Sequence, residues 1–113
     1  MEITERRSGD VVILEFSGRL VIGDGDSQTR KRIATLLTGG ERKILIGMAG
    51  VSALDSSGVG ELAAARNAAT SAGAEIRLAQ LSPRVGSVLK TTLLIGVFEI
   101  FDSLEEGLSS FSR

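Results

Sequence analysis

The sequence predicts an α/β fold: a mixed, mostly parallel sheet of about five strands, opened by an N-terminal hairpin and covered by about four helices. Three observations predict it. Ile44-Leu45-Ile46 is an apolar run too short for a helix and typical of a strand buried on both faces. From Gly25 onward, strand patterns alternate with helical ones. Two strand patterns precede that alternation, separated by the turn Ser8-Gly9-Asp10.

Ile3 to Arg7 is the first strand candidate. Val11 to Ser17 is the second, with Val12, Leu14 and Phe16 on one face and Glu15 and Ser17 on the other. The two pair as a hairpin at the edge of the sheet. Gly18 to Gly25 reads as a loop carrying three glycines and Asp24, and Asp26 as the cap of the helix that follows. Ile33, Leu36 and Leu37 give that helix its apolar stripe, and Gly39-Gly40 stops it. After the central strand a turn-rich segment leads to Asp55-Ser56-Ser57-Gly58 and a helix from about Ser57 to Ala72. Val59, Leu62 and Ala63 face inward there, and Gly73 ends the helix.

Glu75 to Gln80 is the next strand, with Ile76 and Leu78 on one face. Ser82-Pro83 starts a third helix, a hydroxyl cap followed by proline at the first helical position; Val85, Val88 and Leu89 form its buried stripe. Val97 to Phe101 reads as the last strand. Ser103-x-x-Glu106 is a capping box that opens a terminal helix burying Leu104, Leu108 and Phe111.

Composition narrows the function. The 113 residues suit one domain, 1–113, with no linker or repeat. The net charge of −1 gives no electrostatic pull toward nucleic acid or an anionic membrane. No apolar run approaches the roughly 20 residues of a membrane span, and the N-terminus lacks a signal-peptide core, so the cytoplasm is the expected location. The chain has no Cys and no His. That removes thiolate metal sites, cysteine nucleophiles and the commonest general base; a carboxylate- or lysine-based enzyme stays open as the less favoured reading, and no enzyme, metal or cofactor is expected.

The strand-to-helix junction at Asp55 is the candidate site. Free N–H groups at a helix start favour negative charge, a phosphate included. From the residues alone, Ser56 and Ser57 read as helix caps and Asp55 as an acceptor fixing its loop. Gly58-x-Gly60-x-x-Ala63 also matches a dinucleotide-binding fingerprint, but Leu78-Ala79-Gln80 lacks the acid expected to bind ribose. The glycines then serve close approach of the helix start to its loop. Arg30-Lys31-Arg32 reads as a solvated helix face.

Nearly the whole chain resembles a STAS domain, the family of bacterial anti-sigma factor antagonists and of the cytoplasmic domains of sulphate transporters. The resemblance rests on Gly18-Arg19-Leu20, on Val51-Ser52-Ala53-Leu54-Asp55-Ser56-Ser57-Gly58-Val59-Gly60, and on Val97-Phe98-Glu99-Ile100-Phe101-Asp102. It implies that Ser56, directly after the aspartate, is phosphorylated by a partner that is both serine kinase and anti-sigma factor, leaving Ser57 as the cap. The unphosphorylated form binds that partner, and a serine phosphatase restores it. Asp55, Ser57, Gly58 and Gly60 complete the motif. Two departures accompany the resemblance. Val21 replaces the acid that contacts the partner in the family, with Asp24 further on, and Gly47 replaces a common Asn or Asp. Leu93 and Ile95 stand where glycine and polar residues are usual; they read as core or as an apolar contact surface.

The resulting expectation is a phosphorylation-controlled binding module, an anti-sigma factor antagonist contacting no nucleic acid and no membrane, with a homodimer allowed. The alternatives are a STAS scaffold that is never phosphorylated and, from another class, a small nucleotide-binding protein using the Gly58–Gly60 helix start.

Overall fold

Runs rich in β-branched and leucine side chains at Val11–Leu20 and Lys43–Leu54 form the two long strands on which the other elements assemble. The computed structural model describes residues 1–23, 26–92 and 96–112. In chain order its elements are β1 (Glu2–Ser8), β2 (Val11–Leu20), α1 (Asp26–Thr38), β3 (Lys43–Leu54), α2 (Ser56–Ser71), β4 (Glu75–Ala79), α3 (Pro83–Thr91), β5 (Ile100–Phe101) and α4 (Leu104–Ser110). The fold is the expected mixed five-stranded sheet with four helices.

The strands lie in the order β1-β2-β3-β4-β5. β1 and β2 form the antiparallel hairpin, turning at Gly9 with φ +60°, and every later pair is parallel. Each new strand is added on the same side, so right-handed crossovers place α1, α2 and α3 on one face. There Ile33 and Leu36 of α1, Leu62, Ala65 and Ala69 of α2, and Val85 and Leu89 of α3 close over Val12, Leu14, Ile44, Ile46, Ile76 and Leu78. α4 covers the other face, where Phe111, Leu104 and Leu108 pack with Val11, Leu45 and Ala79. Arg77 of β4 fastens this second layer. Its guanidinium lies 4.2 Å over the Phe111 ring, donates to Ser110 Oγ at 2.6 Å, and pairs with Glu75 at 2.6 Å and Glu99 at 2.7 Å.

Several boundaries differ from expectation. Gly18-Arg19-Leu20 is not loop but the end of β2, and the expected turn after Ile46 is strand as far as Leu54. These two stretches pair with each other, Gly18 with Val51 and Leu20 with Leu54, through register shifts between Glu15 and Ser17 and between Gly18 and Arg19. Glycine suits the crowding there: a Cβ on Gly50 would come within 2.8 Å of the Phe16 carbonyl oxygen. One on Gly47 would meet Leu104 Cδ2 at 3.1 Å, so packing under α4 accounts for a small residue where the resemblance implies a polar one. The last strand shortens to Ile100–Phe101. β4 ends at Ala79, and before Ile100 the chain turns Phe98 into the core and leaves Val97 exposed.

Candidate functional site

β2 and β3 run parallel and end together, Leu20 beside Leu54. A single residue, Asp55, separates β3 from α2. Its backbone is extended, φ −115° and ψ −176°, as a cap requires, and its N–H donates to the Leu20 carbonyl at 3.4 Å. Asp55 Oδ1 accepts from the Gly58 N–H at 2.9 Å, while Oδ2 accepts from the Ile22 N–H at 3.1 Å. One carboxylate thus ties the helix start to the segment leaving β2. The Gly58 and Ile22 N–H groups, with a further contribution from that of Ser57, hold its carboxyl below the usual carboxylate range.

The helix cap is therefore Asp55 and not Ser57, and α2 begins at Ser56. A cap lies outside the helix in extended conformation, whereas Ser56 and Ser57 already occupy the first two helical positions. Ser56 is exposed and Ser57 half-buried. Gly58 fills its place for a packing reason: a Cβ would lie 2.1 Å from the Leu20 carbonyl oxygen and 2.8 Å from Leu54 Cδ1. Close approach of helix to strand demands this glycine without any ligand. Gly60 is exposed, with open space around it.

Val21 is half-buried where the chain leaves β2. The next residue, Ile22, is 74% exposed, a surface position that its sequence context marks only weakly. The available signal was an apolar side chain immediately before Gly23, at the mouth of a glycine-rich segment. The structure thus brings Val21, Ile22, Asp55, Ser56, Ser57 and Gly58 to one end of the sheet. Asp24, Leu93 and Ile95 lie outside the described residues. About one turn along α2, buried Glu61 pairs with Arg30, and Arg32 reaches Glu5 at 3.4 Å. Two members of the basic run are therefore ion-paired rather than merely solvated.

Chemically, Asp55 commits both oxygens to backbone N–H groups, which suits it to holding loops rather than to taking a proton from Ser56. The Ser56 hydroxyl is presented to solvent at a helix N-terminus, where an added anion is partly compensated. Among the described residues no group of three acidic, His or Cys side chains is placed to hold a metal ion. Among the same residues no helix is long and apolar enough to cross a membrane.

A family model described as the STAS domain matches residues 2–107. Among solved structures, TM1081 of Thermotoga maritima superposes with a TM-score of 0.90 at 24% identity, over 98% of this chain and 95% of that one. The anti-sigma factor antagonist SpoIIAA in its unphosphorylated form gives 0.83 at 22% identity, over 98% and 96%. The Bacillus cell fate determinant SpoIIAA in its phosphorylated form gives 0.75 at 21%, over 97% and 99%. At these identities the likeness is one of fold.

Proposed function

Because the chain belongs to the STAS domain family, we propose that residues 1–113 act as one phosphorylation-controlled binding module, an anti-sigma factor antagonist. In this reading it binds a serine kinase that doubles as anti-sigma factor while Ser56 is unmodified, and a serine phosphatase resets it. It works in the cytoplasm as a regulator rather than an enzyme. The observation that carries the proposal is the exposed Ser56 hydroxyl at the first helical position, beside a cap that leaves it unencumbered. The two solved forms of SpoIIAA, unphosphorylated and phosphorylated, support it by likeness of fold.

A phosphate on Ser56 adds about −1.5 to −2 charge at neutral pH. The helix N-terminus offsets part of it, and the ionised Asp55 opposes it. The backbone N–H bonds of Asp55 remain in place, so the change falls on the docking surface and not on the fold. Val21 and Ile22 make that surface apolar, and Asp24, with Leu93 and Ile95 where the chain departs from the family, are proposed as further partner contacts. Binding should therefore depend weakly on salt.

The test is mass spectrometry of the chain isolated from its own cells. Trypsin releases residues 44–66 as one peptide containing Ser52, Ser56 and Ser57. Phosphate is expected on Ser56, and Ser56→Ala should remove it. A peptide phosphorylated on Ser57 alone, or never phosphorylated, overturns the assignment and favours the unmodified STAS scaffold.

A further inference from the structure

β1 is the outermost strand on one side of the sheet and pairs only with β2. Six of its seven residues are exposed, so its outer side is open, and only Ile3 is half-buried. Among the described residues no backbone hydrogen bond reaches β1 from outside the hairpin. In an antiparallel pair alternate residues turn their N–H and C=O groups away from the neighbour, so this edge keeps a row of ladder groups for another strand. The register with β2 sorts the side chains by face. Glu5 and Arg7 stand opposite Leu14 and Val12, under the helices, where Arg32 meets Glu5 at 3.4 Å and Glu41 pairs with Arg7. Glu2, Thr4 and Arg6 lie on the other face, opposite Ser17, Glu15 and Ile13.

We propose that this edge joins a second copy of the chain, the two sheets becoming one across a two-fold axis. An axis normal to the sheet sets two copies of an edge strand antiparallel and keeps every residue on its own face. Few registers satisfy that condition, and charge chooses among them. With Thr4 on the axis, Glu2 of each copy faces Arg6 of the other, and no like charges meet directly within residues 2–6. An axis on Glu5 sets two carboxylates face to face, and one on Arg6 sets two guanidiniums. An axis on Ile3 shrinks the ladder to residues 2–4 and forms no charge pair. Charge on an edge strand ordinarily repels a copy; here the signs divide so that one register is accepted and its neighbours are refused. Arg6 already meets Glu15 at 3.1 Å, which holds its guanidinium on the face where Glu2 of the second copy arrives. The interface does not depend on the Ser56 reading.

The test is sedimentation equilibrium of the unmodified chain over a concentration series, with amide exchange at high and low concentration. A dimer is expected, weakened by salt because its ion pairs are exposed. Exchange should slow on association in residues 2–6 and nowhere else. Arg6→Glu or Glu2→Arg alone puts like charges opposite at both symmetry-related positions and should weaken the dimer about tenfold or more. The double variant Glu2→Arg/Arg6→Glu exchanges the signs and should restore it. If circular dichroism finds Arg6→Glu unfolded through its new repulsion from Glu15, Glu2→Arg mixed with wild type carries the test. A chain that stays monomeric at millimolar concentration, a dimer indifferent to the single charge reversals, or protection that falls outside β1 would overturn the proposal.

Discussion

The starts of α2 and α3 solve one problem by different means. In both, an extended residue outside the helix lends a side-chain oxygen to the third helical N–H. Asp55 reaches Gly58 at 2.9 Å, and Ser82 reaches Val85 at 3.2 Å. At α3 everything is local: a neutral hydroxyl, Pro83 behind it, and a fully buried Val85 side chain filling the core. At α2 the cap is charged and has a second arm to Ile22, and the third helical position has no room for any side chain. One start only begins a helix. The other joins two crossovers of the sheet and gives up core packing to bring them together.

The largest test of this contrast is Gly58→Ala. The added Cβ meets backbone, which cannot swing aside as a side-chain end can, so about 3 kcal/mol or more of stability should be lost in urea denaturation. A mild effect would dissolve the difference between the two helix starts. Asp55→Ala comes next, freeing the Gly58 and Ile22 N–H groups together, and should cost more than removal of the α3 cap. Its pH dependence has a definite sign. The folded-state midpoint of Asp55 lies below its unfolded value, so its contribution is complete above the unfolded pKa of about 3.9 and disappears as pH falls through the folded midpoint. Asp10 and Glu41 are depressed too, by Lys43 and Arg7, so the quantity to follow is wild type minus Asp55→Ala across acid pH. A difference that grows on acidification would refute the two-armed cap.

Ser82→Ala, the local counterpart, should cost about 1 kcal/mol without disturbing the Ile22 amide signal. Smallest is Gly60→Ala, on the open side of α2, where helix propensity predicts a gain of up to about 1 kcal/mol. Together with Gly58→Ala it asks whether the two glycines of the apparent fingerprint share a purpose. Opposite signs would say that they do not.

The same contrast explains what was legible in the sequence. Ser82-Pro83 and Ser103-x-x-Glu106 contain their whole signal within four residues, and both caps were read correctly; Ser103 Oγ accepts from the Glu106 N–H at 3.1 Å. The order of strands and helices was legible from apolar spacing alone. The second arm of Asp55 was not, because Ile22 stands 33 positions away and no local pattern announces the meeting. The far ends of β2 and β3 were missed for a related reason. Glycine is a poor strand former alone; Gly50 suits its strand because a Cβ would come within 2.8 Å of the Phe16 carbonyl oxygen, and Gly18 because its φ of +109° favours glycine. Local physics read Ser56 as no more than a cap; its special standing came from the resemblance.

The spatial order of the strands repeats their order along the chain, with a consequence for synthesis. Val12 lies beside Ile44, and Ile44 beside Ile76, each 32 positions further on. No strand waits for a mate from the far end of the polypeptide, so the sheet can grow outward from β2 as residues leave the ribosome. The helical face is closed progressively by α1, α2 and α3. The opposite face, with Val11, Leu45 and Ala79, stays bare until Leu104 to Phe111 emerge, after every strand of the sheet has been made. A nascent chain stalled before Leu104 should therefore carry an assembled sheet with one sticky side, the state in which holdase chaperones would engage it.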